Sequence, residues 1–308
     1  MPKDLHDLPK LRDSISYLYF EHAVIEQEDS SIVVYQGDGK IPVPIATVTC
    51  LFLGPGTRIT HAAITALADN GCMAIWCGEK ANRFYASGTG ETRSAENLLM
   101  QAKLCIEKES HMAVVRRMYA IRFPNISTDG MTLQQIRGME GVRVRQTYQM
   151  EAKRNGLKWT ARNYKQTKWE DTDDINKALS SANAILYGVC HAAIVSLGFS
   201  PGLGFIHTGK QLSFVYDIAD LYKTETSIPA AFEAVKADPK NLEKTVRILV
   251  RQKMAKANIL KRIAADIAWV FSENSFDEQN NHVAVSQLWD DTGILDGGEN
   301  YGKDYNKW

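Results

Sequence analysis

The residues best suited to chemistry are His207, Asp217 and Asp220, all inside the stretch Gly204-Phe-Ile-His-Thr-Gly-Lys-Gln-Leu-Ser-Phe-Val-Tyr-Asp-Ile-Ala-Asp. Read as a helix capped by Ser213, this segment puts both aspartates on one side, and a Gly-containing turn presents the imidazole. An acid pair three residues apart repels itself, and more strongly when partly buried. Three arrangements answer to that spacing: a metal cradle, a salt-bridge network drawing on Lys210 or an arginine, and a solvated face. A single histidine is more often packed or hydrogen-bonded than a ligand, but its place between Gly204 and Gly209, in a turn feeding the acidic helix, puts ligation level with that structural reading.

Glu140 adds a third carboxylate. In the helix from Thr132 to Tyr148 the apolar stripe runs through Leu133, Ile136, Val144 and Tyr148, and Glu140 is four residues from both Ile136 and Val144. It therefore points inward and requires a partner, either a ligand or an internal pair with Arg137 or Arg143. Gly138 and Gly141 flank it, each costing a helix interior about 1 kcal/mol relative to Ala. Close approach of another backbone or a ligand would account for that cost. One imidazole with two or three carboxylates is a hard-oxygen site, suited to Mg²⁺ or Mn²⁺ rather than structural zinc. Such an ion serves phosphodiester chemistry.

Around these residues lies a nucleic-acid footprint. Nine Lys or Arg against two Glu occupy Arg137 to Lys168, and eight against one acid occupy Lys240 to Arg262. Tyr148, Trp159, Tyr164 and Trp169 interleave with the first basic run, which pairs phosphate neutralisation with stacking surfaces. Lys244, Arg247 and Arg251 form a stripe at helical spacing. The formal net charge is nevertheless zero, because Glu273 to Trp308 holds eight acidic residues against two basic ones. That tail has few apolar side chains and is expected to be mobile or to order on a partner.

The elements that must position the site change character along the chain. Strand patterns occupy Tyr17 to Glu26, Ser31 to Tyr35, Ile41 to Val48, Met73 to Trp76 and Phe84 to Ala86, with a Gly37-Asp38-Gly39 hairpin turn. One helix, Thr60 to Asp69, interrupts them. After the polar bridge from Gly88 to Ala95 the period becomes helical: Ala95 to Glu107, Met112 to Arg122, Leu133 to Arg154, Asp174 to Leu197, Ser213 to Tyr222, Ala230 to Val235 and Asn241 to Phe271. The expected fold is α+β and multidomain. Residues 1–90 form a small mainly β domain, residues 91–272 a larger all-α domain carrying the metal site, and residues 273–308 the acidic tail.

An apolar fraction of 44% in 308 residues supplies ample core for a soluble protein. No secretory signal is read at the N-terminus, and the apolar window Ala184 to Phe199 is read as a buried helix rather than a membrane span. The scattered thiols Cys50, Cys72, Cys77, Cys105 and Cys190 form no zinc or disulfide pattern and suit a reducing cytoplasm. Dinucleotide, phosphate-loop and nucleophile-elbow motifs are not found.

Taken together, Glu140 in Arg-Gly-Met-Glu-Gly-Val-Arg-Val-Arg, His207 in Gly-Phe-Ile-His-Thr-Gly-Lys and the Asp217/Asp220 pair resemble the CRISPR-associated spacer-integration endonuclease, the first-numbered protein of adaptation modules. The resemblance is closest to the type I-E branch. It spans about residues 10 to 272, including Pro55-Gly-Thr-Arg58 and Arg83-Phe-Tyr-Ala-Ser-Gly88. It implies a cytoplasmic homodimer that joins the second-numbered adaptation protein, two such dimers flanking one partner dimer, with no membrane involvement. It also implies capture of double-stranded protospacer DNA and its insertion into the CRISPR repeat by 3′-hydroxyl attack on a phosphodiester.

Under that resemblance Glu140, His207 and Asp220 hold Mg²⁺ or Mn²⁺, and Asp217 supports them in catalysis. Arg58, Arg83, Tyr187, Lys210, Lys244, Arg247 and Arg251 match DNA-contacting positions. An aromatic wedge of the family aligns with His22, whose smaller ring implies either weaker end recognition or a shift of that role to Tyr19. A repair nuclease using water as nucleophile and a non-enzymatic DNA-binding scaffold are the competing readings.

Overall fold

The computed structural model describes residues 16–29, 31–37, 39–45, 48–78, 84–90, 95–128, 130–162, 172–272, 288–290 and 293–295. The described residues from Ser16 to Gly88 build two four-stranded sheets. One has the order β1-β5-β7-β8, from β1 (Ser16–Phe20), β5 (Val48–Leu53), β7 (Met73–Cys77) and β8 (Phe84–Gly88). The other has the order β4-β3-β2-β6, from β2 (Val24–Glu28), β3 (Ser31–Gln36), β4 (Gly39–Val43) and β6 (Arg58–Ile59).

Two strand expectations are corrected here. The run Tyr17 to Glu26 is not one strand, because His22 takes φ 50° and turns the chain from the first sheet into the second. Its N–H donates to Pro55 O at 2.9 Å, which pins the corner. The run Ile41 to Val48 likewise divides, and Val48–Leu53 becomes a strand paired in parallel with both β1 and β7. Asp38 of the hairpin turn lies outside the described residues, while Gln36 and Gly39 face each other in the β3–β4 register.

The first sheet is covered on both faces, and side-chain alternation decides what covers each. Leu51, Leu53 and Ala74 pack with Ile25, Ile32 and Val34 of the second sheet and with Ala63 and Leu67 of α1 (His61–Asp69). Cys50, Phe52, Met73, Ile75 and Cys77 join the helical core instead. A single cluster of buried side chains thus runs from the strands to the last helix.

The helices are α2 (Glu96–Ile106), α3 (Lys108–Arg122), α4 (Leu133–Asn155), α5 (Asp174–Ser196), α6 (Ser213–Asp220), α7 (Ser227–Ala237), α8 (Leu242–Lys256) and α9 (Ile259–Phe271). The pattern read as one helix from Asn241 to Phe271 is two. Asn258 adopts the left-handed region at φ 48°, a conformation Asn tolerates better than most residues.

α5 is the central helix. It is long and apolar enough to span a membrane, yet 72% of its most apolar window is buried within the fold. At Gly188 the first sheet approaches so closely that an added Cβ would strike the Phe52 ring and lie 3.2 Å from Ile75 Cδ1. A short hairpin, β9 (Leu288–Asp290) with β10 (Gly293–Leu295), is described within the acidic tail, most of which lies outside the described residues.

Candidate active site

Five elements meet around the predicted chemistry. α4 carries Glu140, α6 carries Asp217 and Asp220, the loop before α6 carries His207, α3 ends on Arg122, and α5 contributes Tyr187. The capping box at Thr132 and Gln135 sets the start of α4, and Gly156 in the left-handed region at φ 70° ends it. Ser213 does not cap α6. Leu212 occupies that position, and Ser213 Oγ instead accepts the Lys210 N–H at 3.0 Å, closing the turn that leads into the helix.

Asp217 is fully buried. Its Oδ2 accepts the N–H groups of Phe205 (2.7 Å) and Ile206 (3.0 Å), while its Oδ1 accepts the N–H of His207 (2.9 Å) and faces His207 Nδ1 at 2.7 Å. Three aimed backbone dipoles and an imidazole compensate the cost of burying this charge. The hydrogen bond to Asp217 raises the His207 pKa above the ordinary value, overcoming the opposing effect of burial. The loop makes this wrap only because residue 204 has no side chain: a Cβ there would lie 2.7 Å from Ser213 Cβ.

Asp220 is held by side chains instead. Lys223 Nζ stands 2.5 Å from its Oδ1, and Arg122 Nη2 lies 3.6 Å from its Oδ2. Burial disfavours its charge, but the Lys223 and Arg122 cations outweigh that and hold the carboxyl below its usual range. For Lys223 burial opposes the cation, and the Asp220 carboxylate more than reverses the effect, so its pKa is raised.

Arg122, almost wholly buried, also pairs with Glu140 through its Nη1. The guanidinium lies over the Tyr119 ring, 5.2 Å from its centroid. Burial, with the Glu140 charge second, pushes the Tyr119 phenol up to about 12.

These contacts correct two expected pairings. Glu140 meets Arg122 of another helix, whereas Arg143 turns to Thr224 Oγ1 at 3.4 Å and to the Phe123 ring at 5.2 Å, and Arg137 is exposed. Beside Asp220 the arginine alternative holds, through Arg122, and Lys223, one turn on, takes the place expected of Lys210, which is exposed. Among the described residues no backbone from another element approaches Gly138 or Gly141, for an added Cβ at either would meet nothing within 4 Å. The helix is open on both sides of Glu140.

As the chain stands, the salt-bridge arrangement is realised. Among the described residues no three His, Cys, Asp or Glu side chains converge closely enough to hold a metal ion. The donor set nevertheless fits Mg²⁺ or Mn²⁺ in kind. Two carboxylates from separate helices already share one cationic group, and His207, with Nδ1 engaged, retains Nε2 as a donor atom.

The expected DNA contacts are placed less uniformly. Tyr187 borders the site: its ring lies 4.9 Å from Lys223 Nζ and 5.0 Å from the Tyr216 ring, which in turn meets His207 at 5.9 Å. Arg58, Lys244 and Arg251 are exposed. Arg247 is half-buried and stacks on Tyr19 at 4.7 Å, and Tyr19 OH donates to Glu21 Oε2 at 2.6 Å, so this pair joins β1 to α8. Arg83, Tyr164, Lys165, Lys168 and Trp169 lie outside the described residues. Tyr148 and Trp159 stack on each other at 4.8 Å, Trp159 edges onto Phe232, and both pack half-buried against the helical core rather than standing free as stacking platforms.

The sequence model of the CRISPR associated protein Cas1 family matches residues 17–129 and 122–264. The chain belongs to the Cas1 family. A CRISPR-associated endonuclease Cas1 of Thermus thermophilus is 47% identical over 307 residues, covering 98% of this chain and 94% of that relative. The CRISPR-associated endonuclease Cas1 of Escherichia coli is 38% identical over 260 residues, covering 84% and 85% respectively. The crystal structure of a TtCas1–DNA complex superposes with a TM-score of 0.81 at 47% identity, covering 92% of this chain and 99% of that one. Cas1 membership agrees with the β N-terminal and helical C-terminal regions seen here.

Arg122 and Lys223 were missed by sequence reasoning. Lys223 was within its reach, since it follows Asp220 at i+3. Arg122 had no local signal, because its partners are 18 and 98 residues away.

Proposed function

We propose that this Cas1-family chain cuts and joins DNA in CRISPR adaptation, capturing short double-stranded foreign DNA and inserting it into the repeat array. Two relatives named as endonucleases and a relative solved with DNA support the reading. The observation that carries it is the meeting of Glu140 and Asp220 at the buried Arg122 guanidinium, beside an imidazole oriented by Asp217. Gathering carboxylates from distant segments in a buried place is costly, and a site for charged phosphate chemistry explains it.

In the reaction, the 3′-oxygen of the incoming strand bonds to a repeat phosphorus while the bond from that phosphorus to its leaving 3′-oxygen breaks. Mg²⁺ or Mn²⁺, held by Glu140, His207 and Asp220, would lower the pKa of the attacking hydroxyl and stabilise the charge that develops. Asp217 fixes the imidazole so that Nε2 is the nitrogen presented. Arg122 and Lys223 supply positive charge next to the phosphate, and Tyr187 with Tyr216 forms an aromatic wall. Arg58, Arg83, Lys210, Lys244 and Arg251 are assigned to phosphates along the duplex, and Arg247 to the same face through its stack on Tyr19.

The homodimer, the second-numbered adaptation partner, the type I-E branch and the cytoplasmic setting belong to the same proposal. Reconstituted integration with that partner, a cognate repeat and spacer DNA ending in 3′-hydroxyl or 3′-deoxy tests it. Joining is expected only with the hydroxyl, the partner and a divalent ion. Cutting without joining would favour a repair nuclease, and DNA binding without either would favour a scaffold.

A further inference from the structure

α2 turns a polar stripe toward the loop that carries His207. Asn97, Gln101 and Cys105 recur at every fourth position and so share one face of the helix. Asn97 Nδ2 donates to Leu197 O at 2.7 Å, closing the end of α5. Gln101 donates Nε2 to Ser200 O (3.0 Å) and Leu203 O (2.9 Å), and its Oε1 accepts the Ser200 N–H at 2.8 Å. Cys105 Sγ lies 3.7 Å from Leu203 O and 3.8 Å from Gly204 O. Beyond the stripe, on α3, His111 Nε2 lies 2.7 Å from Phe205 O.

This face is not polar for want of apolar residues. The same helix leaves Leu99 67% and Ile106 83% exposed, whereas Gln101 is wholly buried. Burying an amide is costly unless its donors and acceptor are met, and here all of them are engaged by one turn of chain. Few side chains answer one N–H and two carbonyls at once. Leu and Met offer no polar hydrogen, Glu has no donor when ionised, and Asn is one methylene shorter.

α6 grips the same turn from the other side, where the Phe214 N–H donates to Pro201 O at 2.9 Å. Ser200 to Leu203 is thus held between two helices. Just beyond it, after Gly204, come the residues whose N–H groups converge on Asp217, namely Phe205, Ile206 and His207. We propose that Gln101 is a positioning residue for His207. It sets the height of the loop over α6, and so the aim of the three N–H groups and the imidazole at Asp217. The role rests on the function proposed for His207, while the grip on the loop rests on geometry alone.

Two variants of the full chain test this. Gln101→Met keeps the length without the hydrogen bonds, and Asn97→Ala removes a contact of the same stripe outside the loop. In metal-free protein without DNA, amide exchange at Phe205, Ile206 and His207 is expected to quicken about tenfold relative to α4 in Gln101→Met, and to keep pace with α4 in Asn97→Ala. Single-turnover strand transfer at saturating DNA is expected to fall about tenfold in Gln101→Met, with DNA affinity within about twofold of the parent, and to stay parental in Asn97→Ala. Gln101→Glu, which keeps the acceptor and loses both donors, is expected to follow Gln101→Met and replaces it should that variant not fold. In the parent, the Gln101 side-chain N–H groups are expected to exchange as slowly as the loop amides, and exchange at the rate of an exposed amide overturns the proposal whatever the variants do. Loop amides that keep pace with α4 in a folded Gln101 variant overturn it too, as does a parental rate with a loosened loop. Were the parent itself inactive on DNA, the functional reading would fail while the exchange measurement still decided the grip.

Discussion

Asp217 and Asp220 stand three residues apart on one short helix, and the two regions that receive them are built on opposite principles. Around Asp217 the partners are backbone N–H groups of the Phe205–His207 loop, fixed by the chain path. Around Asp220 they are the cationic ends of Lys223 and Arg122, one of them on a flexible four-carbon stem. Dipoles built into the backbone cannot leave without unfolding the loop, whereas an ammonium can exchange for another cation or follow a phosphate. The first region therefore reads as scaffold and the second as the working position. Glu140 and Asp220 against Arg122 and Lys223 are also balanced in charge. A divalent ion entering that group would leave it strongly positive until a DNA phosphate arrived.

The largest effect should come from the scaffold. Asp217→Ala strands three loop N–H groups, that of buried Phe205 among them, and is expected to lower stability by about 3–5 kcal/mol in denaturant unfolding, with strand transfer lost. A loss well under 1 kcal/mol would mean that the loop holds itself, and the contrast between the two aspartates would collapse. Lys223→Met sharpens the other side. Without divalent ions it should cost about 3 kcal/mol by leaving Asp220 short of a cation. Mn²⁺ should then stabilise the variant by about 2.7 kcal/mol at a hundredfold excess over the variant's dissociation constant, and the parent by less at the same concentration. Equal Mn²⁺ stabilisation of both proteins would show that Lys223 is not the exchangeable partner.

The two histidines extend the contrast to pH. His207 is raised by its hydrogen bond to Asp217, whereas His191, buried on α5 against Phe84, is pushed down to about 4 by burial. With its folded pKa depressed, His191 is protonated first in the unfolded chain. Stability should therefore fall as pH drops from about 6.5 toward 4, by up to about 3 kcal/mol from this residue. Urea midpoints of His191→Leu should decline less across that window than those of the parent. Parallel declines would remove His191 as the source of the acid limb.

The contrast also marks how far the sequence could be read. Glu140, His207, Asp217 and Asp220 were legible because each rests on local periodicity or spacing, and the helical period located all of the long helices. What failed was tertiary or conformational. One positive-φ residue, His22, splits an apparently continuous strand, and Asn258 splits an apparently continuous helix. The inner strand Val48–Leu53 shows an apolar run without alternation, because both of its faces are covered. Arg247 looked like one of three equal phosphate contacts, yet its guanidinium lies on Tyr19, a residue distant in sequence. Gln101 and His111 make their loop contacts across 94 to 102 residues, which no local pattern records.

The central claim is that Asp220 works on DNA while Asp217 holds the site in shape. Its most direct test is the single-turnover strand-transfer rate of Asp220→Asn, with DNA affinity and the unfolding midpoint measured on the same preparation. The account predicts a rate at least about a hundredfold lower, with DNA affinity within a few-fold of the parent and a cooperative unfolding transition retained. A rate equal to that of the parent in a folded, DNA-binding variant would contradict it.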